Sequence, residues 1–355
     1  MLTEDEIAAL CTAGAMAPSG GNDQPWRVTA DRDRLIVAPD EQRSDLSFLD
    51  KEGYAASLAL GCFAENVAIT AQTLGLEYTE ESHDGTTRFT FTGRRAATPH
   101  RLAASIPHRV TNRRPGDGTE LTEAELAPLR ATVDGSLEFT TVSAPEPKAL
   151  IGRALGTADV LRMRNTTMFA DMVREMCWTD RETAERRDGL DLRTLELPGA
   201  TVKLLSLLRR VPRLRTLLPA QKLAETALGL VQNTSHICCL STREPLTRES
   251  MTAAGRSLQR LWLEATRAGL SVHPWTVGAL LLTRQEVFHG QGFTATETQG
   301  VLALGRNLRR GFGLQPRDRP VFVFRLFKSP PPAARSLRRP WQSFTILRES
   351  TDDAR

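Results

Sequence analysis

Eleven residues, Ala17-Pro18-Ser19-Gly20-Gly21-Asn22-Asp23-Gln24-Pro25-Trp26-Arg27, constrain this chain more than any other stretch. Gly20 and Gly21 lack Cβ atoms and tolerate positive φ, so backbone here can lie against a flat ligand. Ser19 and Asn22 add short hydrogen-bonding groups, and Pro25 keeps a helix from continuing. The same residues equally suit a plain helix-ending turn whose Trp26 plugs the core.

At 355 residues the chain has room for two domains or one large one, with a core of useful size. The formal charge of +4 is spread along the sequence, which gives little footing for nucleic acid. Most cations are arginines, which suit bidentate contacts to phosphate and carboxylate. Cys11, Cys62, Cys177, Cys238 and Cys239 show no C-x-x-C or Cys/His spacing, so they read as reduced, buried thiols of a cytoplasmic protein without a metal. The acidic opening Met1–Glu6 lacks the basic and apolar regions of a signal peptide. No apolar run approaches about 18 residues, so no membrane span is expected.

Along the chain, Thr3 and Glu6 form a capping box that opens a helix to about Gly14. A strand at Arg34–Val37, a helix at Tyr54–Leu74 and a strand at Arg88–Thr92 follow, giving an αβ unit to residue 97. Residues 98–120 read as an arginine- and histidine-rich loop. A helix at Thr122–Val133, a strand at Leu137–Val142 and a helix from Pro145 to Met176, broken near Gly156, come next. Residues 180–230 mix leucine with arginine and read as a lid, a surface helix pair or an amphipathic membrane-binding stretch. Strands at His236–Ser241 and Pro320–Phe327 flank a helix at Thr247–Gly269 and an extended passage, Ser271–Thr276. The tail from 328 to 355 carries Arg335, Arg338 and Arg339.

There is no G-x-G-x-x-G, P-loop, H-E-x-x-H or G-x-S-x-G. No carboxylate pair stands out for acid–base work, so enzymatic chemistry would reside in a bound cofactor.

Three segments together resemble the FMN-dependent nitroreductase superfamily. Ala17–Arg27 is similar to that family's flavin-lining APSxxNxQPW loop. His108-Arg109-Val110-Thr111-Asn112-Arg113-Arg114-Pro115 resembles its arginine-rich phosphate-binding segment. The strand Val321–Phe327 with the arginines beyond it is similar to its closing strand and basic tail, and Val272-His273-Pro274-Trp275-Thr276 fits the passage that reaches the flavin ring. Ordinary members carry the arginine segment before the loop, and two identical chains build each site. Here the order is reversed, as in the double-length, actinobacterial-type branch in which one chain imitates the dimer.

The resemblance implies an α+β, nitroreductase-like fold of two fused halves, residues 1–97 and 98–355, with antiparallel or mixed sheets flanked by helices and a helical lid at 180–230. It implies one FMN site per chain, held by Pro18, Ser19, Gly20, Asn22, Arg109, Thr111, Asn112, Arg113, Pro274, Trp275, Thr276, Arg335, Arg338 and Arg339. No catalytic side chain is singled out. The implied activity is hydride transfer between flavin N5 and a small conjugated or aromatic substrate, with NADPH or NADH as reductant, in a monomeric pseudo-dimer or a homodimer. Two alternatives remain at this point. One is a protein that sequesters FMN with little turnover, and the other is a basic protein that binds nucleic acid or membrane.

Overall fold

The computed structural model describes residues 1–44 and 47–348. The capping box forms as read: Thr3 and Glu6 exchange side-chain and backbone bonds at the start of α1 (Glu4–Ala15). A hairpin of β1 (Trp26–Ala30) and β2 (Arg34–Pro39) precedes the long α2 (Tyr54–Thr73). A second hairpin, β3 (Leu76–His83) and β4 (Thr86–Arg94), completes the first unit. The second unit runs through α3 (Glu123–Arg130), β5 (Leu137–Val142), α4 (Pro145–Arg164) and α5 (Thr166–Glu175). Short pieces follow: β6 (Met176–Cys177), α6 (Asp180–Arg186), β7 (Leu190–Asp191) and α7 (Gly199–Arg210). It closes with α8 (Ala220–Gln232), β8 (His236–Thr242), α9 (Arg248–Arg267), β9 (Ser271–Pro274), α10 (Val277–Val287), α11 (Ala295–Phe312) and β10 (Arg319–Phe327). Last comes β11 (Thr345–Leu347).

The fold is α+β. One sheet has the order β11-β1-β2-β4-β3 and is antiparallel except for the parallel β1–β11 pair. Beside the two-stranded parallel pair β6–β7, a four-stranded sheet, β5-β8-β10-β9, is wholly antiparallel. Its central strands are buried on both faces, and the period of two divides their side chains between two layers. Cys238, Leu240, Phe322 and Phe324 join the core around α2 and α9, while Ile237, Cys239 and Val323 join the core of α4, α10 and α11.

The two units meet where α2 crosses α9. Gly61 and Gly255 lie face to face: a Cβ on Gly61 would stand 1.9 Å from Thr252 O, and one on Gly255 would stand 2.0 Å from Leu58 O. Each helix thus uses its glycine to admit the other's backbone.

Several expectations need correction. The tail does not stay with the second half, because β11 crosses back to pair with β1, Val28 opposite Thr345. The break after Pro145 falls at Asn165, whose side chain caps α5 by accepting from Met168 N. Gly156 instead lets α4 approach α8, since a Cβ there would stand 2.8 Å from Ala224 Cα. Residues 180–230 are not one lid: α8 belongs to the body, with Ala227 and Val231 in the second core. Among the described residues, Lys51–Thr73 is long and apolar enough to cross a membrane, but 83% of its apolar window is buried inside the structure as a core helix. Residues 349–355 of the tail lie outside the described residues.

Candidate functional site

A cavity of about 690 Å³ lies at the seam, within the usual range for small-molecule sites. Ala55, Leu58, Ala59 and Cys62 of α2 form one wall, and Leu258 and Trp262 of α9 with Phe322 of β10 form the apolar floor. The loop after α1, the segment 109–113, the start of α10 and the tail 334–341 complete it.

The loop's shape follows from its backbone. Gly21, Asn22 and Gln24 have φ of 56°, 59° and 52°. At 21 glycine suits both the positive φ and the space, since a Cβ would stand 2.7 Å from Glu175 Cγ and push that side chain aside. Asparagine tolerates the left-handed region, whereas glutamine there costs on the order of 1 kcal/mol and must be held by its surroundings. Gln24 is so held: its Nε2 donates to Arg187 O at 2.8 Å, and its Oε1 accepts from Arg339 N at 2.9 Å.

Of the residues named from sequence, Pro18, Ser19, Gly20, Asn22, Arg109, Thr111, Arg113, Pro274, Thr276, Arg335, Arg338 and Arg339 all line the cavity. Asn112 and Trp275 do not. Asn112 turns inward, and its Nδ2 donates to Ser271 Oγ and Pro330 O, both at 2.9 Å. Trp275 lies across the strand from its neighbours, in the core with α4 and α11, and its Nε1 points at Asp159 Oδ1, 3.4 Å away. Both fail for one reason: a resemblance in sequence does not say which way alternate side chains of an extended segment face.

Asn22 reaches the wall, but its amide is occupied. Nδ2 donates to Gly189 O at 2.9 Å and to Leu337 O at 3.1 Å, while Oδ1 accepts from Arg338 at 2.7 Å. The side chain therefore clips the 187–189 segment and the tail to the loop. We expect Asn22→Ala to cost about 2–3 kcal/mol through lost buried hydrogen bonds and a disfavoured φ. Faster hydrogen exchange across 187–195 would reveal the loosened clip, and unchanged protection there would refute it.

Positive charge dominates one end of the cavity. Arg109 is buried, donates to Met16 O at 2.8 Å and stacks over Trp262 at 4.6 Å. Arg338 donates to Ala17 O and Asn22 Oδ1, and its Nε has no partner. Arg335 donates to the carbonyls of Pro107 and His108. Arg113 donates to Thr194 O. Arg339 donates through Nη2 to the carbonyls of Gln24 and Trp26, and its Nε has no partner. Among the described residues none of these five forms an ion pair. Carbonyls satisfy N–H groups without cancelling charge. Glu196 is near enough to act on Arg113, and Asp40 and Asp188 on Arg339, whereas among the described residues no carboxylate acts on Arg109 or Arg338. Burial, then the neighbouring Arg338, pulls the Arg109 guanidinium down to about 9, and burial lowers Arg338 to about 10. Both remain cations at neutral pH.

The side toward α5 brings carboxylates to the lining alongside arginines. Arg162 pairs with Glu175 at 2.6 Å. Asp23 lies beside them, its carboxyl pushed up to about 7 by burial and by Glu175. A carboxyl whose folded-state pKa is raised stabilises the protein fully below the unfolded value of ~4, and this contribution is lost as pH climbs through about 7. Asp23→Asn is therefore expected to flatten stability between pH 5 and 8 and to raise it at pH 8. Urea titrations at both pH values would check this, and equal slopes with pH in the two proteins would count against it.

Sequence reading missed Asp23, Glu175 and Trp262 as wall residues. The first two carry no motif and meet only because α5 packs on the loop. The small residues of α2, Ala55, Ala59 and Cys62, were the readable signal of a wall thin enough to admit a ring. Among the described residues no cluster of His, Cys, Asp or Glu could hold a metal.

No family model matches the chain. It is 28% identical over 343 residues to the uncharacterized protein MT1398 of Mycobacterium tuberculosis. That match takes in 92% of this chain but 46% of the relative, so the chain spans about half the relative's length. Among solved structures, oxidized iodotyrosine deiodinase bound to FMN and 3-iodo-L-tyrosine aligns with 67% of this chain and 95% of its own, at 10% identity and a TM-score of 0.38. A nitroreductase-like family protein from Bacillus cereus aligns over 70% and 96%, at 13% identity and a TM-score of 0.35. A nitroreductase with bound FMN from Bacteroides fragilis aligns over 72% and 96%, at 12% identity and a TM-score of 0.34.

Proposed function

We propose that this chain is an FMN-dependent oxidoreductase of nitroreductase type, with one flavin per chain at the seam between its two units. The observation that carries the reading is the group of arginines lacking carboxylate partners at one end of a cavity whose floor is apolar. An FMN phosphate carries nearly two negative charges, and Arg109, Arg335 and Arg338 would hold it through charge-assisted bonds. Arg338 Nε lacks a partner, as do Nε of Arg339 and of Arg162 in the same lining, and an anionic ligand would offer the acceptor that Arg338 lacks.

The slot between α2 and Trp262 would take a flat ring system, with Gly20 and Pro274 keeping its edges thin. The start of α10, at Thr276 and Val277, brings the positive end of a helix dipole to the cavity. FMN, when bound, supplies hydride transfer at its N5. This chain's residues would orient it and exclude water, and Asp23 would hold a proton near neutral pH beside the substrate. A small conjugated or aromatic substrate, and NADPH or NADH as reductant, suit the remaining space. The reciprocal glycine contact supports a pseudo-dimer.

A yellow preparation with one FMN per chain that bleaches on adding NADPH or NADH supports the reading. A colourless protein that takes up no added FMN sinks it. The clip at Asn22 favours a second reading, storage of FMN beneath a closed cover. Bound flavin that neither nucleotide nor any added acceptor touches would select that one.

A further inference from the structure

The segment from 197 to 224 contains six cations and no acidic residue. It also holds five of the eleven large apolar side chains exposed among the described residues: Leu197, Leu204, Leu207, Val211 and Leu217, from 37% to 75% exposed. That concentration separates them from the singly scattered apolar residues of an ordinary surface. On α7 the 3.6-residue period puts Leu204, Leu207, Leu208 and Val211 on one stripe. Only Leu208 is buried, against Met163 and Phe169, so the body covers one edge of the stripe and leaves the rest outside. Lys203 and Arg210, seven residues apart, run along the other edge; Arg213 follows just past the helix, and Lys222 stands on the first turn of α8.

These four cations form no ion pair among the described residues. The acids that flank the patch are otherwise engaged or turned to a different cation. Glu196 binds Arg114, Glu185 binds Arg181, Glu182 faces Arg209, and Glu225 accepts from Gln221.

We propose that this face docks on an anionic lipid surface, with Leu204, Leu207, Val211 and Leu217 entering the interface and Lys203, Arg210, Arg213 and Lys222 meeting the headgroups. Charge decides among occupants. A second copy would set cation against cation across a two-fold interface, which disfavours self-association. Projecting leucines without a pocket suit acyl chains, and the basic border suits acidic headgroups. Docking would place the cavity's cover, which Arg187, Leu190 and Thr194 contribute, close in sequence to the bilayer contact.

The test is co-sedimentation of the full chain with vesicles of phosphatidylcholine alone and of phosphatidylcholine with phosphatidylglycerol. Binding is expected only to the anionic vesicles and should fall as salt rises. Arg210→Glu with Arg213→Glu should weaken it by at least about tenfold, as loss of two headgroup-facing cations implies. Leu204→Ser with Leu207→Ser should weaken it comparably. Both pairs are exposed, so unchanged thermal melts are expected and confirm that the fold is intact. The proposal is overturned by no vesicle binding, by equal binding to neutral vesicles, by indifference to both double variants, or by a dimer that Leu207→Ser dissociates. None of these outcomes depends on flavin, so the docking face and the redox reading fail separately.

Discussion

Arg109→Ala is expected to purify colourless, with FMN affinity lowered about a hundredfold or more. The residue bonds Met16 O, stacks on Trp262 and carries charge that no acid among the described residues cancels. A charge-assisted bond to phosphate contributes roughly 1.5–3 kcal/mol, and two such bonds set the hundredfold scale. The loss of stacking also costs stability, on the order of 1 kcal/mol. A thermal melt of the flavin-free protein separates this from lost binding. Arg27→Ala, an exposed change on β1 outside the cavity, should keep its flavin. If the Arg109 variant stays yellow through dialysis, the phosphate does not lie where we place it.

Gly61→Ala should be strongly destabilising for so small a change. Two effects of opposite sign compete. Alanine improves helix propensity by about 1 kcal/mol over glycine. Against that, the new methyl would stand 1.9 Å from the backbone oxygen of Thr252 and 3.0 Å from Gly255 Cα, and backbone cannot swing aside as a flexible side chain can. The helices must separate, opening the seam that forms two cavity walls. A net loss of about 3 kcal/mol or more is expected, with flavin retention falling alongside. Gly229→Ala on α8 is the matched control, since nothing lies within 4 Å of its Cβ position. There propensity acts alone, and the variant should gain up to about 1 kcal/mol. Urea denaturation of both proteins reads the contrast, and a Gly61 variant as stable as the parent would mean the helices do not cross this closely.

What the sequence revealed follows how local each signal is. The capping box, the helices at α2 and α9, and the strands β5, β8 and β10 carry their cause within a few residues, and each forms near its expected bounds. The hairpin partners β1 and β3 escaped notice because β1 continues directly from the loop and β3 alternates few apolar residues. The return of β11 to β1 joins opposite ends of the chain, and no short-range pattern announces it. Gly156 was read as a breaker when it is a contact point, because a helical glycine looks the same in sequence whichever role it plays. At the site, the loop and the arginines were legible as runs of unusual residues. Asn112 and Trp275 were misjudged because facing is set by register, and the Asp23–Glu175 neighbourhood exists only once α5 is docked.

The pairing of β11 with β1 also ties down the tail that borders the cavity. Arg335 and Arg338 line that cavity on a stretch of chain that is anchored beyond them by the short parallel pair β1–β11. Deleting residues 345–347 should therefore leave the body folded but release the arginine-bearing flap from the rim.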